Sequence, residues 1–307
     1  MMAHPDALTG AWPVAPTPFH DDGSLDLEGM RRVLDCIVDQ DIDGVCILAN
    51  FSEQFLISDA ERETLTRLCL EHLAGRLPAI VTISHYATPI VVERAKLARD
   101  LGAIGVMIMP PYHGALLKGT AEQTYEQFAR VSDVGIPIMI QDAPLSGVDL
   151  PVPLLVRMAQ EIPMVQHFKI ECPGAATKLR ALIAQGGDAI VSPLDGEEGI
   201  TMLADLDAGA TGTMCSAMIS ELIREVVTAH TSGDRDRAVD LYTRILPAVN
   251  HENRQGGFRS AKAAMKEGGV IASDFCRHPV PPLPPETRAE LLGLLRPLDP
   301  ISLRWGL

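Results

Sequence analysis

Aromatic residues, lysines and clustered positive charge are all scarce in this 307-residue chain. Phe, Trp and Tyr together make up 4% of the residues, so a hydrophobic core must be built from aliphatic side chains and methionine. The formal net charge is −14, and no run of basic residues is present. Nucleic acids and anionic membrane surfaces are therefore not expected as partners, because nothing in the sequence offsets their phosphate charge.

Sequence signatures of metal sites, disulfides and membrane spans are also missing. The six cysteines form no C-x-x-C pair, and the nine histidines show neither H-x-x-x-H nor H-E-x-x-H spacing. No apolar run approaches the length of a membrane span, and the first ten residues lack the pattern of a secretory signal. We therefore expect a cytoplasmic protein with reduced cysteines, no metal, no cofactor and no membrane partner.

Eight short apolar runs alternate with amphipathic stretches over the first 230 residues. The runs are almost continuously apolar, as expected of strands that are buried on both faces. One intervening stretch opens with Ser58 and Glu61 at the spacing of a capping box. This pattern predicts an α/β protein with a (β/α)8 TIM barrel rather than an open doubly wound sheet. The predicted strands are 12–17, 44–50, 78–84, 105–111, 137–143, 165–171, 188–194 and 210–216.

The strand pattern stops after residue 230. Three helical stretches follow, and the proline-rich segment "HPVPPLPP" interrupts them. We therefore predict two parts, a barrel over residues 1–230 that carries the active site and a helical extension over residues 231–307 that packs on it.

The carboxyl ends of the predicted strands are far more polar than the strands themselves. In a (β/α)8 barrel these ends meet at the face that carries the active site. The loop after the seventh strand, "LDGEEG", is acidic and would repel a phosphate group, so we expect an unphosphorylated small-molecule substrate. The candidate substrate-binding residues at these ends are Asn50, Phe51, Ser52, His85, Tyr86, Tyr112, His113, Gln141, Asp195, Glu197 and Ser216.

Among these candidates, the turn after the second strand is the one we expect to bind a carboxylate group. Its donors would be the hydroxyl of Ser52 and the backbone N–H groups of Phe51 and Ser52. The alternative is that the Ser52 hydroxyl only shapes the turn.

A lysine stands inside the apolar run of the sixth predicted strand, "VQHFKIE". Because side chains alternate along a strand, Lys169 and Glu171 share one face and Phe168 and Ile170 share the other. A solvated pair on an edge strand would explain two such charges, but a closed barrel has no edge. A lysine amine in a site of low polarity binds its proton less tightly and becomes a nucleophile, as Schiff-base formation with a ketone requires. The remaining lysines are most simply interpreted as solvated: Lys96, Lys118, Lys178, Lys262 and Lys266.

The chain resembles the dihydrodipicolinate synthase/N-acetylneuraminate lyase family of Schiff-base barrel enzymes along essentially its whole length. The resemblance rests on "PVAPTPFHDDGSLD", "SEQFLIS", "MPPYH", "AKAAMKEGGVI" and Lys169. It implies that Lys169 binds a 2-oxo acid as an imine, that aldol or elimination chemistry follows at the adjacent carbons, and that the chains assemble as a homotetramer.

Two segments depart from the usual pattern of that family. The usual Tyr-Asn-x-Pro of the fifth strand is Gln141-Asp142-Ala143-Pro144 here, so the tyrosine that normally relays protons is missing. The usual Gly-Thr-Thr-Gly-Glu of the second strand is Ala49-Asn50-Phe51-Ser52-Glu53. The segments "ILANFSEQF", "MIQDAP", "FKIE" and "VNHENRQ" are similar to the branch that dehydrates L-2-keto-3-deoxyarabonate. In that branch the glutamate at the position of Glu171 takes over proton transfer. The resemblance thus implies dehydration of this sugar acid to 2-oxoglutarate semialdehyde, with Lys169 and Glu171 as the catalytic residues.

Three alternatives stay open at this point. Glu171 could pair with Lys169 and do nothing more. The reaction could instead be a pyruvate-forming aldol cleavage of a related 2-keto-3-deoxy sugar acid. Because the tyrosine is missing, a third alternative is a barrel that binds sugar acids and catalyses no reaction.

Overall fold

The computed structural model describes residues 7–143 and 146–307. Residues 1–6, with which the predicted barrel begins, and Pro144 of the fifth-strand segment lie outside the described residues. The strands are β1 (Gly10–Ala11), β2 (Val45–Ile47), β3 (Ala79–Thr82), β4 (Gly105–Ile108), β5 (Tyr112–His113), β6 (Leu117–Lys118), β7 (Ile138–Asp142), β8 (Val165–Ile170), β9 (Ser192–Asp195) and β10 (Gly212–Thr213). The helices are α1 (Leu27–Val38), α2 (Asp59–Leu73), α3 (Thr88–Asp100), α4 (Ala121–Ser132), α5 (Val152–Glu161), α6 (Ala175–Gly186), α7 (Met202–Asp207), α8 (Ser220–Thr231), α9 (Arg235–His251), α10 (Arg259–Glu267) and α11 (Pro285–Leu295).

The order of these elements confirms the predicted (β/α)8 fold of the α/β class with C-terminal helices. Strands and helices alternate as far as α8, and α9, α10 and α11 follow. The predicted capping box is also confirmed, because the Ser58 hydroxyl accepts the Glu61 N–H and the Glu61 side chain accepts the Ser58 N–H at the start of α2. Among the described residues, no helix combines the length and the apolar character that a membrane crossing needs. The predicted boundary at residue 230 stays a prediction.

One compact unit contains Ile80–Glu197 and Thr201–Thr213. Its strands run parallel in the order β3, β4, β7, β8, β9, β10, and most of their residues are buried on both faces. The short antiparallel hairpin of β5 and β6 is also part of this unit and was not predicted. The strand β9 begins at Ser192, later than predicted, because residues 187–189 form a 3-10 turn that starts at Gly187 with a φ of 53°.

The register of these parallel strands assigns the side chains to two faces. Lys169 of β8 lies opposite Gln141 of β7 and Leu194 of β9, so the three side chains share one face. The next residues along, Asp142, Ile170 and Asp195, are also in register and share the other face.

The second unit contains Gly10–Ala79, Glu198–Ile200 and Met214–Leu307. Within it, Val14 forms parallel bridges with Cys46 and with Ser216. The predicted strand 12–17 was too long and began too late, since β1 ends at Ala11 and the predicted residues contribute the Val14 bridge. Its prolines, at positions 13 and 16, have no N–H to donate to a ladder.

A fully buried ion pair lies inside the second unit. The Lys262 Nζ atom of α10 is 2.7 Å from Glu53 Oε1, and both side chains have no exposed surface. The ammonium also donates to the Phe275 carbonyl and lies 4.7 Å from the centroid of the Phe19 ring. Burial raises the pKa of the Glu53 carboxyl, and the adjacent ammonium opposes that rise. The prediction that Lys262 is solvated was wrong, because α10 turns this face into the core.

Removal of one member of this pair tests how far the fold depends on it. Lys262→Met leaves a buried carboxylate without its cation, so we expect the free energy of unfolding to fall by about 3–5 kcal/mol. Lys266→Met is the matched control on the same helix, because Lys266 is 42% exposed and pairs with Asp274 at 2.8 Å, and a loss of about 0–1 kcal/mol is expected there. Urea unfolding measures both, and equal losses would contradict the assignment.

Candidate active site

Lys169 and Glu171 lie in contact at the carboxyl end of β8. The Lys169 ammonium forms an ion pair with Glu171 Oε1, and the two residues are 3% and 8% exposed. The Glu171 N–H donates to the Asp142 carbonyl at 3.0 Å, which continues the β7–β8 ladder past the end of the strand. The pleat therefore brings a buried amine and a carboxylate to one face, as the strand alternation predicted.

Gln141 holds the second oxygen of the same carboxylate. Its Nε2 atom donates to Glu171 Oε2 at 2.8 Å, and its side chain is 1% exposed. One carboxylate oxygen thus faces Lys169 and the other faces Gln141. With both oxygens engaged, rotation of the carboxylate would break a buried hydrogen bond, so its orientation is fixed.

The space for Glu171 exists because residue 196 is a glycine. A Cβ atom at Gly196 would lie 2.3 Å from Glu171 Cγ and 3.0 Å from the Ile170 carbonyl oxygen. Any larger residue would push the glutamate away from its partners. The sequence analysis used this loop as an argument against phosphate and as the source of two binding candidates, and it missed the packing role of its glycine.

A second ion pair lies on the opposite face of β7. Lys178 of α6 is 2.6 Å from Asp142 Oδ2, and its side chain is 15% exposed. Burial raises the pKa of the Asp142 carboxyl, and Lys178 counters that rise. The prediction that Lys178 is solvated was wrong, because a helix packed on the outer face of a strand can reach a carboxylate there. The Lys178–Asp142 pair lies between the sheet and α6, whereas Lys169 lies on the other face of the sheet.

The arrangement on the Lys169 face suits imine chemistry. A lysine must lose its proton before it attacks a ketone, and Glu171 is in contact to receive that proton. The amine, the carboxylate and an amide that orients the carboxylate are thus brought together by two neighbouring strands.

The sequence model of the dihydrodipicolinate synthetase family matches residues 7–297. The chain belongs to this family. It is 57% identical over 298 residues to L-2-keto-3-deoxyarabonate dehydratase of Azospirillum brasilense, and the match covers 97% of this chain and 96% of that protein. It is 30% identical to 4-hydroxy-tetrahydrodipicolinate synthase 2 of Streptomyces coelicolor, with 90% of each chain covered.

Solved structures of family members have the same fold. Dihydrodipicolinate synthase from Rhodopseudomonas palustris superposes with a TM-score of 0.86 at 27% identity, covering 96% of this chain and 99% of that chain. The enzyme from Aquifex aeolicus superposes with a TM-score of 0.88 at 23% identity, covering 95% and 98%. These likenesses confirm the barrel that the strand count predicted.

Four further candidates for substrate binding follow β3 and β4 along the chain. His85 is half-buried, and its Nδ1 atom accepts the Ala87 N–H at 2.9 Å. Tyr86 is also half-buried, and its carbonyl accepts from a side-chain amide of α4. Burial raises the pKa of the half-buried Tyr112 phenol, whereas His113 is exposed on the hairpin. Their contacts with a substrate stay predictions.

The two acidic candidates after β9 are placed differently from each other. Asp195 shares its face with Ile170 and accepts a hydrogen bond from Thr213, so the structure does not bring it to Lys169. Glu197 follows in a loop and has a left-handed backbone with a φ of 49°. The sequence placed Asp195 at a polar strand end but could not assign its face, because the face follows from the register between β9 and β8, which the residues of one strand do not show.

The candidates after β2 are engaged within their own turn. The Ser52 hydroxyl donates to the Ala15 carbonyl at 2.6 Å and accepts the Ala49 N–H at 3.1 Å, and the residue is fully buried. Asn50 Oδ1 accepts from Gln54 at 2.7 Å, and the Phe51 ring stands edge-on to another phenylalanine ring. These contacts favour the turn-shaping alternative for the Ser52 hydroxyl.

Ser216 contacts a glutamate that the sequence analysis did not identify. Its hydroxyl donates to Glu252 Oε1 at 2.6 Å, and Glu252 is 1% exposed at the start of a π-helical turn, Glu252–Gly256. Burial raises the pKa of Glu252 to about 8 even though the Ser216 hydroxyl opposes that rise. Such turns are frequent at functional positions. The segment "VNHENRQ", which contains this glutamate, is part of the family resemblance, but no spacing singles the glutamate out, and its burial does.

The raised pKa of Glu252 makes stability depend on pH. Its folded-state pKa of about 8 lies above the ordinary value of 4.5, so the unfolded chain releases this proton first as the pH rises. Stability from the protonated group is complete below pH 4.5 and is lost as the pH rises toward 8. Glu252→Gln cannot ionise, so its melting temperature relative to wild type should increase between pH 5 and pH 8.

Calorimetry at several pH values measures this effect. Glu63→Gln serves as the control, because the Glu63 side chain is 57% exposed and pairs with an arginine, Arg67, so its replacement should leave the pH dependence unchanged. Parallel curves for Glu252→Gln and wild type would contradict the prediction.

Proposed function

We propose that the protein is a hydro-lyase that dehydrates L-2-keto-3-deoxyarabonate to 2-oxoglutarate semialdehyde through a Schiff base on Lys169. The observation that carries this proposal is the buried contact of the Lys169 ammonium with the Glu171 carboxylate. The 57% identity to the Azospirillum brasilense dehydratase supports the choice of substrate.

The proposed reaction uses Lys169 as the nucleophile and Glu171 as the proton carrier. Glu171 receives a proton from Lys169, whose Nζ atom attacks C2 of the keto acid. Glu171 then returns this proton to the C2 oxygen, which leaves as water and gives the iminium. The Glu171 carboxylate then removes a proton from C3, which gives an enamine. The enamine expels the C4 hydroxyl group, which takes up a proton and departs as water. Tautomerisation and hydrolysis of the imine release the semialdehyde and restore the lysine.

The positive charge on nitrogen explains why Glu171 is held beside Lys169. The ammonium and the later iminium are both cations, so the carboxylate is stabilised in the same place before and after imine formation. A glutamate that served only as a counter-ion would have no reason to be oriented by Gln141 as well.

Two assays on one preparation test the proposal. Borohydride reduction in the presence of pyruvate should add one pyruvate-derived mass to the chain, and peptide mapping should place it on Lys169. Incubation with L-2-keto-3-deoxyarabonate should yield semialdehyde and no pyruvate.

Lys178→Ala is the matched control. Lys178 is the other lysine close to Glu171 in sequence, but it lies in α6 and pairs with Asp142 on the opposite face of the sheet. The variant should therefore keep the pyruvate adduct on Lys169. Labelling that survives Lys169→Ala would refute the mechanism. Stoichiometric pyruvate would show aldol cleavage instead, and an adduct without turnover of any sugar acid would show a binding protein.

Glu171→Gln separates proton transfer from imine formation. The amide has the size of the carboxylate, so the Lys169 adduct with pyruvate should still form. Turnover should fall about 10²–10⁴-fold, because that is the usual contribution of a general base. Exchange of substrate C3 protons with deuterated solvent, followed by NMR, should fall in parallel. Full turnover with full exchange would place the base on another residue.

The finer parts of the proposal concern binding and assembly. We propose that the backbone N–H of Phe51 binds the substrate carboxylate, whereas the Ser52 N–H, the other expected donor, already donates to the Ala49 carbonyl at 2.9 Å. We also propose a cytoplasmic homotetramer, as the family resemblance implies. Light scattering that gives the mass of a single 33.1 kDa chain would contradict the tetramer.

A further inference from the structure

The Gln141 side chain makes one hydrogen bond and leaves one acceptor unused. Its Nε2 atom donates to Glu171 Oε2 at 2.8 Å, and its Oε1 atom is buried without a hydrogen-bond partner among residues 7–143 and 146–307. The amide cannot be turned round, because its oxygen would then face a carboxylate oxygen. The Glu171 contact therefore fixes the direction in which Oε1 points.

A buried amide oxygen without a donor is costly. Such groups lower stability, and native proteins rarely leave them unpaired. The neighbours in register on this face do not supply the donor, since the Lys169 ammonium pairs with Glu171 and Leu194 is apolar. An O–H group of a bound ligand satisfies the oxygen without disturbing the fold.

We infer that Gln141 is both a positioning residue and a specificity-determining residue, and this inference rests on the proposed function. Its Nε2 atom orients the Glu171 carboxylate. Its Oε1 atom accepts a hydrogen bond from a hydroxyl group of the substrate, on a carbon beyond C3. A 2-oxo acid that carries such a hydroxyl is therefore bound in preference to one that lacks it, because only the first satisfies the buried oxygen.

Two probes that differ by one hydroxyl group test the specificity role. They are 4-hydroxy-2-oxobutanoate and 2-oxobutanoate, and the readout is the concentration of each that gives half-maximal borohydride trapping on Lys169. This readout needs imine formation but not dehydration. We expect wild type to prefer the hydroxylated probe by about 3- to 10-fold, the range expected for one hydrogen bond to a neutral acceptor.

Two variants separate the acceptor from the donor. Gln141→Met has neither, so it should trap both probes at equal concentrations and exchange the C3 protons of 2-oxobutanoate more slowly. Gln141→Glu keeps an acceptor but places a second carboxylate against Glu171. It should retain the preference for the hydroxylated probe, while the pH profile of C3 exchange moves to higher pH, because two adjacent carboxylates hold a proton more tightly.

The control is Gln40→Met, the same replacement at a buried glutamine that contacts Cys36 and Ser220. It should lower stability and leave the probe preference unchanged. The inference is overturned if wild type shows no preference, if Gln141→Met keeps it, or if the pH profile of Gln141→Glu equals that of wild type. A wild-type protein that forms no imine with either probe would instead refute the proposed function, so the two failures are distinguishable.

Discussion

The contact between Lys169 and Glu171 is the interaction on which the rest of the site depends. Each charge is almost fully buried, and neither could be held there alone without a desolvation penalty of several kcal/mol. The parallel register of β7 and β8 brings Gln141 to the same level as Lys169, so an amide meets the carboxylate from the side that the ammonium does not occupy. The barrel strands thus supply rigid positions for all three groups.

Within residues 7–143 and 146–307, three buried or half-buried lysines make ion pairs, and their surroundings differ. Lys262 is surrounded by the Glu53 carboxylate, a carbonyl and an aromatic ring, so its partners leave no room for a substrate. Lys178 bonds Asp142 on the helix-facing side of the sheet. Lys169 has its carboxylate partner on the inward face at the carboxyl end of a strand, the position where barrels of this fold carry their chemistry. Burial of a lysine is therefore a poor guide to reactivity, and the face on which it is buried is a better one.

The parts of the structure that follow from local periodicity could be predicted from the sequence. Alternation along "HFKIE" placed Lys169 and Glu171 on one face, and the eight apolar runs gave the fold class. Lys262 could not be predicted, because two lysines four residues apart on a helix suggest a solvated face, and only the packing of α10 shows which of them is buried. Asp195 could not be assigned to a face, because its face depends on the register between β9 and β8 and not on the pattern of β9 alone. The roles of Gly196 and Glu252 could not be predicted for a related reason. Each depends on a contact with a residue far away in the sequence, and such a contact leaves no local sequence pattern.

Gly196 also limits the order of amino-acid substitutions by which such a site can evolve. A side chain there and a glutamate at 171 exclude each other, since the two would occupy the same volume. A barrel of this family with a larger residue at the position of Gly196 therefore cannot gain this glutamate in one step. The loop must lose its side chain first, and the intermediate carries a small void but no clash. Redesign of a related lyase into a dehydratase should follow the same order, with the loop changed before the strand.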